Sequence, residues 1–229
     1  MTMVSRTWTL WDDRELLRVS VNGVANGSIE GESRAAMERG VEALIEAGFK
    51  DDHIVRSRLY ARDADVRRAA SDTRLTMLAA DRRAASSSYI DPERLPEGAN
   101  IAIDLVALRL SSAGASKEVR EYDPRIAPPM FVALDGVVFL SGNTDTASDF
   151  EAQLANIRRN IDASLAAAGT GWDRVREFSV HVSKTLGTGR VRRGLAAHFP
   201  EAVSLATISS VEGYSTPTKL VEIEVAAVA

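Results

Sequence analysis

Residues 151–169, EAQLANIRRNIDASLAAAG, place Leu154, Ile157, Ile161 and Leu165 on one helical face, because these positions recur at the three- and four-residue spacing of helical turns. Ser148 and Glu151 have the S-x-x-E spacing of a capping box, and Gly169 suits the position that closes a helix. Residues 33–48, SRAAMERGVEALIEAG, follow the same plan with Met37, Val41, Leu44 and Ile45, and they too end on a glycine. Each helix leads into an alternating stretch that reads as a strand, residues 53–61 (HIVRSRLYA) after the first and 174–182 (RVREFSVHV) after the second. A further helical stretch follows in each case, residues 65–80 and 189–199, and then a second alternating strand, 101–108 (IAIDLVAL) and 221–228 (VEIEVAAV). Ahead of the second-half helix, residues 131–142 (FVALDGVVFLSG) predict a hairpin turning at Asp135-Gly136. Its first-half counterpart, residues 10–23, turns near Asp12-Asp13.

The chain is thus expected to be a tandem repeat at an offset of about 120 residues, each unit running strand–strand–helix–strand–helix–strand. Residues 1–110 form the first unit and 127–229 the second. The intervening residues 111–126, rich in Ser, Gly and charge toward their start, read as a linker. The total of 229 residues suits one large domain or two small ones, and the repeat selects two.

Composition narrows the function. Apolar residues are 45% and charged residues 26%, ordinary globular values, and the net charge is −4. That balance argues against nucleic acid as a partner, which would need concentrated positive charge. Pairs such as Arg67-Arg68, Arg82-Arg83 and Arg192-Arg193 read as solvated faces. The absence of cysteine excludes disulfides, thiolate chemistry and Cys-based metal sites. His53, His181 and His198 do not cluster at ligand spacing, so no metal and no cofactor is expected. Met1 to Arg14 has no apolar signal region, and no stretch approaches the roughly 20 apolar residues of a membrane span, so a cytoplasmic protein without membrane contact is expected.

The second half resembles the Rid family, the reactive-intermediate deaminases also called YjgF-like or L-PSP proteins. The matching residues are Ala127-Pro128-Pro129, Leu140-Ser141-Gly142-Asn143, Gln153 and Asn160. Leu165 to Gly169, Ala197-His198-Phe199-Pro200 and Val221-Glu222-Ile223-Glu224 match as well. The first half is similar only in outline, and two fused Rid-like halves resemble the duplication in chorismatases. The resemblance implies an α/β (α+β) fold of two chorismate-mutase-like domains, each a mixed sheet with two helices packed on one face. It also implies a barrel of three such units with sites in the clefts between them. A chain carrying two units is then expected to form a homo-oligomer, a trimer before a dimer.

Carried onto this sequence, the family's site Ser falls on Ser141 and its strand Glu on Glu222, while Ser209 stands where relatives often carry Cys. Met130 lies near an aromatic position. The carboxylate-binding Arg is replaced by Thr207, and by Ser87 in the first half, where Asn22 stands for the Ser and Ala102 for the Glu. Thr207 offers one hydroxyl and no planar fork for a carboxylate. Arg125, Arg192 and Arg193 are the sequence neighbours that could replace it.

Strand alternation puts Glu222 and Glu224 on one face, either as acids facing a cleft or as solvated side chains. Glu222 is the expected general acid/base. Ser141, Asn143, Thr207, Ser209 and Met130 would contact a small-molecule substrate. The implied activity is that of a diverged Rid-like enzyme in a specialised biosynthetic pathway. It would act on a small imine or enamine by water addition, proton transfer or elimination. A non-catalytic binding protein and a chorismatase-like hydrolase are the alternatives.

Overall fold

The computed structural model describes residues 4–11, 13–111 and 114–229. The first half contains β1 (Val4–Trp11), β2 (Arg14–Asn22), α1 (Ile29–Glu46), β3 (Ile54–Ala61), α2 (Ala64–Met77), β4 (Ala85–Ile90) and β5 (Ile101–Leu108). After β6 (Glu118–Arg120), the second half contains β7 (Phe131–Leu134), β8 (Val137–Leu140), β9 (Asn143–Thr144), α3 (Phe150–Ala167), β10 (Val175–Ser183), α4 (Thr188–His198), β11 (Ala206–Val211) and β12 (Val221–Val228). The strands form two sheets, ordered β1-β2-β5-β3-β4 and β11-β10-β12-β8-β7-β6, with β9 paired to β12. Among the described residues, only the β3/β4 and β10/β11 pairs are parallel. Each parallel pair is joined through a helix, since parallel neighbours need a crossover connection. The expected architecture of two tandem mixed-sheet units with two helices on one face is the one the chain adopts.

Several expectations are corrected. Each unit has a fifth strand, β4 and β11, whose sequences ASSSYI and ATISSV lack the strong apolar alternation that marks the others. Residues 111–126 are not simply a linker, because β6 within them pairs with β7. The first hairpin is longer than read and begins at Val4, while Asp12 of its turn lies outside the described residues. Helix α1 starts at Ile29, with Ser28 Oγ accepting from Gly31 N–H at 3.0 Å. Helix α3 is capped not by Ser148 but by Asp149, which accepts from Ala152 N–H at 3.0 Å and satisfies one of the exposed first-turn donors. The Asp135-Gly136 turn is as expected, with both residues at positive φ, the conformation a tight two-residue hairpin requires.

Each sheet buries one face under its helices. Leu17, Val19, Leu59 and Ile103 pack against Met37 and Leu44 in the first half; Phe178, Val180, Ile223 and Val225 pack against Leu154 and Ile157 in the second. The helix-free faces then meet each other. Leu16, Val55, Val106 and Leu108 of the first sheet lie against Val132, Leu134, Val137 and Phe139 of the second. Beyond this apolar contact the interface turns polar, and there the two halves enclose a cavity.

Candidate active site

Alternation along β12 sends Val221, Ile223, Val225 and Ala227 into the second core and turns Glu222, Glu224 and Ala226 toward the first half. The glutamates are therefore neither solvated nor in the helix-covered core. Glu224, 1% exposed, accepts from Arg58 Nε at 2.7 Å, Ser87 Oγ at 2.5 Å and Tyr89 Oη at 2.7 Å, all from the first half. Arg56 and Arg58 also reach Glu177 on β10, at 2.9 and 2.6 Å. Against the cost of its burial, the Arg58 and Arg56 guanidinium groups hold Glu224 well below the usual carboxylate range. Beside it, His181 is stacked on Tyr89 with ring centroids 4.1 Å apart, and Ser209 Oγ lies 2.8 Å from its Nδ1. Burial pushes His181 down to about 4.

Glu222 sits one pleat further along and differs in kind. It lines a cavity of about 470 Å³ between the halves. Its carboxylate lies directly over Gly142, where a Cβ would be 1.9 Å from Oε1, so a side chain there would displace the Glu222 carboxylate from its place. Burial first, and the Glu224 carboxylate second, push Glu222 up to about 8, with Lys219 opposing. At neutral pH it is a carboxylic acid able to donate a proton.

The opposite wall is cationic. Helix α2 presents Arg67, Ser71 and Arg74 at i, i+4 and i+7, one helical face. Arg74 is buried and donates to the Ser87 carbonyl at 2.5 Å; burial pulls it down to about 10, which leaves it charged. Arg67 donates to Ser88 Oγ at 3.2 Å, while its Nε finds no partner among the described residues, and neither do the buried hydroxyls of Ser57 and Ser71. Lys219 and Arg83 complete the wall, the latter bound to Glu121 through Nε and Nη2, both at 3.0 Å. With Arg83 neutralised by Glu121, the cations Arg67, Arg74 and Lys219 face Asp72 and Glu222, a setting for a small anion.

Of the candidate residues, Glu222 and Asn143 line this cavity, and Asn143 is held by a 2.8 Å bond from Nδ2 to the Ser141 carbonyl. Ser141 lies just behind, its Oγ accepting from Ser86 N–H at 3.0 Å, while Gly142 N–H donates to the Ser86 carbonyl at 3.1 Å. Met130 packs against the second core. Thr207 and Ser209 stand on the exposed β11, away from the cavity, because the strand that closes this cleft within the chain is β4 of the other half. Its Ser87 is the counterpart of Thr207: Ser87 pairs with Arg58 and Thr207 with Ser179, the matching positions of β3 and β10. Asn22 lies opposite Ala102, and Thr144 opposite Glu222, so the register aligns Asn22 with Thr144 and not with Ser141. Arg192 and Arg193 are exposed on α4, and Arg125 pairs with Glu121 at 3.3 Å. The arginines come instead from α2, where the i, i+4, i+7 spacing of Arg67, Ser71 and Arg74 is a signal present in the sequence. Among the described residues no group of three or more His, Asp or Glu could hold a metal ion, and no helix is long and apolar enough to cross a membrane.

Among solved structures, the chain is similar to a chorismatase with a TM-score of 0.66 and 17% identity, over 96% of this chain and 78% of that one. It has the chorismatase fold. Half of the chain is also similar to two smaller proteins. One is a YjgF/YER057c/UK114-family member from Mycobacterium tuberculosis, at TM-score 0.43 and 23% identity, over 50% of this chain and 100% of that one. The other is the Rid-family protein YyfA from Yersinia pestis, at 0.45 and 24%, over 50% and 100%. No protein-family model matches the sequence, and no curated protein matches it. In the chorismatase fold of this chain, the cavity lies where the two repeated sheets meet.

Proposed function

We propose that the chain is an enzyme that takes a small, carboxylate-bearing imine or enamine into the cavity between its halves, with Glu222 as general acid. The observation that carries this reading is a carboxyl buried over Gly142, pushed up to about 8 by burial and by Glu224, and sharing a cavity with the guanidinium groups of α2. Arg67 and Arg74 hold the substrate carboxylate, the task the sequence left without a residue. The Glu222 carboxyl protonates the enamine carbon, and water adds to the resulting iminium carbon while the Glu222 carboxylate takes a proton from it. That proton passes to the carbinolamine nitrogen, which leaves as ammonia as the hydroxyl returns its proton to Glu222 and becomes the carbonyl. Such chemistry suits a specialised biosynthetic step that releases a reactive intermediate. The test is turnover of carboxylate-bearing imines and enamines, generated in the assay, by the wild type and Glu222→Gln. A loss of at least about a hundredfold in kcat is expected, with binding retained. Undiminished turnover in the variant removes Glu222 from the mechanism, and binding without turnover in the wild type means a binding protein.

A second reading has its own support. The fold likeness to chorismatase spans 96% of the chain, and protonating an enol ether carbon demands the same acid as protonating an enamine. Incubation with chorismate and assay for pyruvate separates the two. The chain is also proposed to associate with further copies of itself, because β1 and β11 are exposed edge strands with unpaired backbone groups.

A further inference from the structure

The chain has four lysines, Lys50, Lys117, Lys184 and Lys219, and one of them faces the cavity. Lys184 is paired with Glu93 and Glu212 at 2.7 and 2.9 Å, and Lys117 donates to the Asp81 carbonyl at 2.7 Å. Lys219 differs. It is half-buried just before β12, forms no ion pair among the described residues, and donates from Nζ to Ser215 Oγ at 3.0 Å. Glu222 and Arg67 are the charged groups that act on it; burial and Arg67 lower its pKa, and Glu222 opposes them only when ionised. A lysine with no ion pair among the described residues, a carboxyl pushed up to about 8 and two arginines therefore line one cavity. That combination is what nucleophilic addition of a lysine to a carbonyl requires.

We propose that Lys219 is an amine nucleophile that condenses reversibly with the carbonyl group of a 2-oxo acid bound in this cavity. Lys219 has this role only if the cavity is the acid site proposed above, since Glu222 must supply the proton. The Nζ lone pair attacks the carbonyl carbon, the C–N bond forms, and the carbonyl oxygen takes the Glu222 proton. The Glu222 carboxylate then recovers a proton from the nitrogen, giving the neutral carbinolamine. Glu222 protonates its hydroxyl, the C–O bond breaks, water leaves, and the nitrogen lone pair closes a protonated imine beside the carboxylate. No oxidant or co-reactant is needed. With an imino acid as substrate, Nζ adds instead to the imine carbon, and the substrate nitrogen takes the Glu222 proton and leaves as ammonia. The condensation run backward, water adding to the Lys219 imine, then releases the 2-oxo acid.

The experiment traps the imine. Full-length protein is incubated with pyruvate and cyanoborohydride, and the reduced adduct is read by intact mass and peptide mapping. One adduct is expected on the peptide holding Lys219, absent in Lys219→Arg and in Lys219→Met, with Lys50, Lys117 and Lys184 unlabelled. Labelling should slow by about tenfold in Glu222→Gln. No adduct on the wild type, label spread evenly over the four lysines, or an adduct that survives in Lys219→Arg overturns the proposal. Turnover that persists in Lys219→Arg, with no adduct on the wild type, overturns the lysine step alone. The general-acid role of Glu222 is tested separately, and undiminished turnover in Glu222→Gln overturns it.

Discussion

Glu222 and Glu224 are two residues apart on one strand face, yet the fold keeps one protonated and the other ionised. The difference lies in what reaches them: Arg58, Ser87 and Tyr89 close on Glu224, while Glu222 is desolvated beside a neighbouring negative charge. Such separation of paired carboxyls divides acid from anchor. With Glu222 raised to about 8, turnover that needs its proton should be flat near neutrality and fall as pH rises through about 8. A kcat–pH profile that is flat to pH 9.5 removes Glu222 as the acid. The stability sign is opposite to that of an ordinary acid. The folded state binds this proton more tightly than the unfolded chain, so the contribution is complete below the unfolded value of 4.5 and is lost as pH rises to about 8. Glu222→Gln should therefore remove a decline in unfolding free energy on the order of a few kcal/mol between pH 5 and 9, measured by urea denaturation. Strand alternation placed Glu222 and Glu224 on one face and the resemblance to the Rid family singled out Glu222, whereas its charge state depends on Glu224 and on a cover supplied by the other half of the chain.

The elements carry the next level. Strands β3, β10 and β12 bring Arg56, Arg58, Glu177 and Glu224 into one buried network, in which each acid meets both guanidinium groups. Removing one cation leaves buried negative charge uncompensated, so Arg58→Met should destabilise the chain by about 3–5 kcal/mol in urea unfolding at pH 7. A change below about 0.5 kcal/mol would mean that the network carries no net stabilisation. The helices, the Asp135-Gly136 turn and the apolar strands were readable because their period and turn chemistry are local. Strands β4 and β11 were not, and each for a different reason. Ser87 and Tyr89 of β4 are buried by groups from the other half, whereas β11 is an exposed edge that needs no apolar alternation. Helix α2 shows the same limit: Arg67 and Arg74 look like solvated charges until the second half closes over them.

At the scale of the whole molecule, the site exists only where two sheets of one topology meet, so the halves are expected to fold as one unit. Phe139 lies at the centre of that contact, fully buried, stacked on Trp11 at 6.1 Å and under the Arg56 guanidinium at 5.3 Å. Truncating it opens a cavity between the halves without touching either helix-covered core, and Phe139→Ala should cost about 3–5 kcal/mol. Trp8 reports on the first half, where it packs on Phe49, and Trp172 on the second, while Trp11 lies in the contact between them. Trp11→Phe combined with Trp172→Phe leaves Trp8, which reports on the first half, and Trp11→Phe combined with Trp8→Phe leaves Trp172, which reports on the second. If the interface couples the halves, denaturant unfolding monitored in these two proteins, each carrying Phe139→Ala, shifts to lower midpoints by equal amounts. A shift confined to one reporter would mean that the halves unfold independently, and the cavity between them would then be a junction of two separate domains.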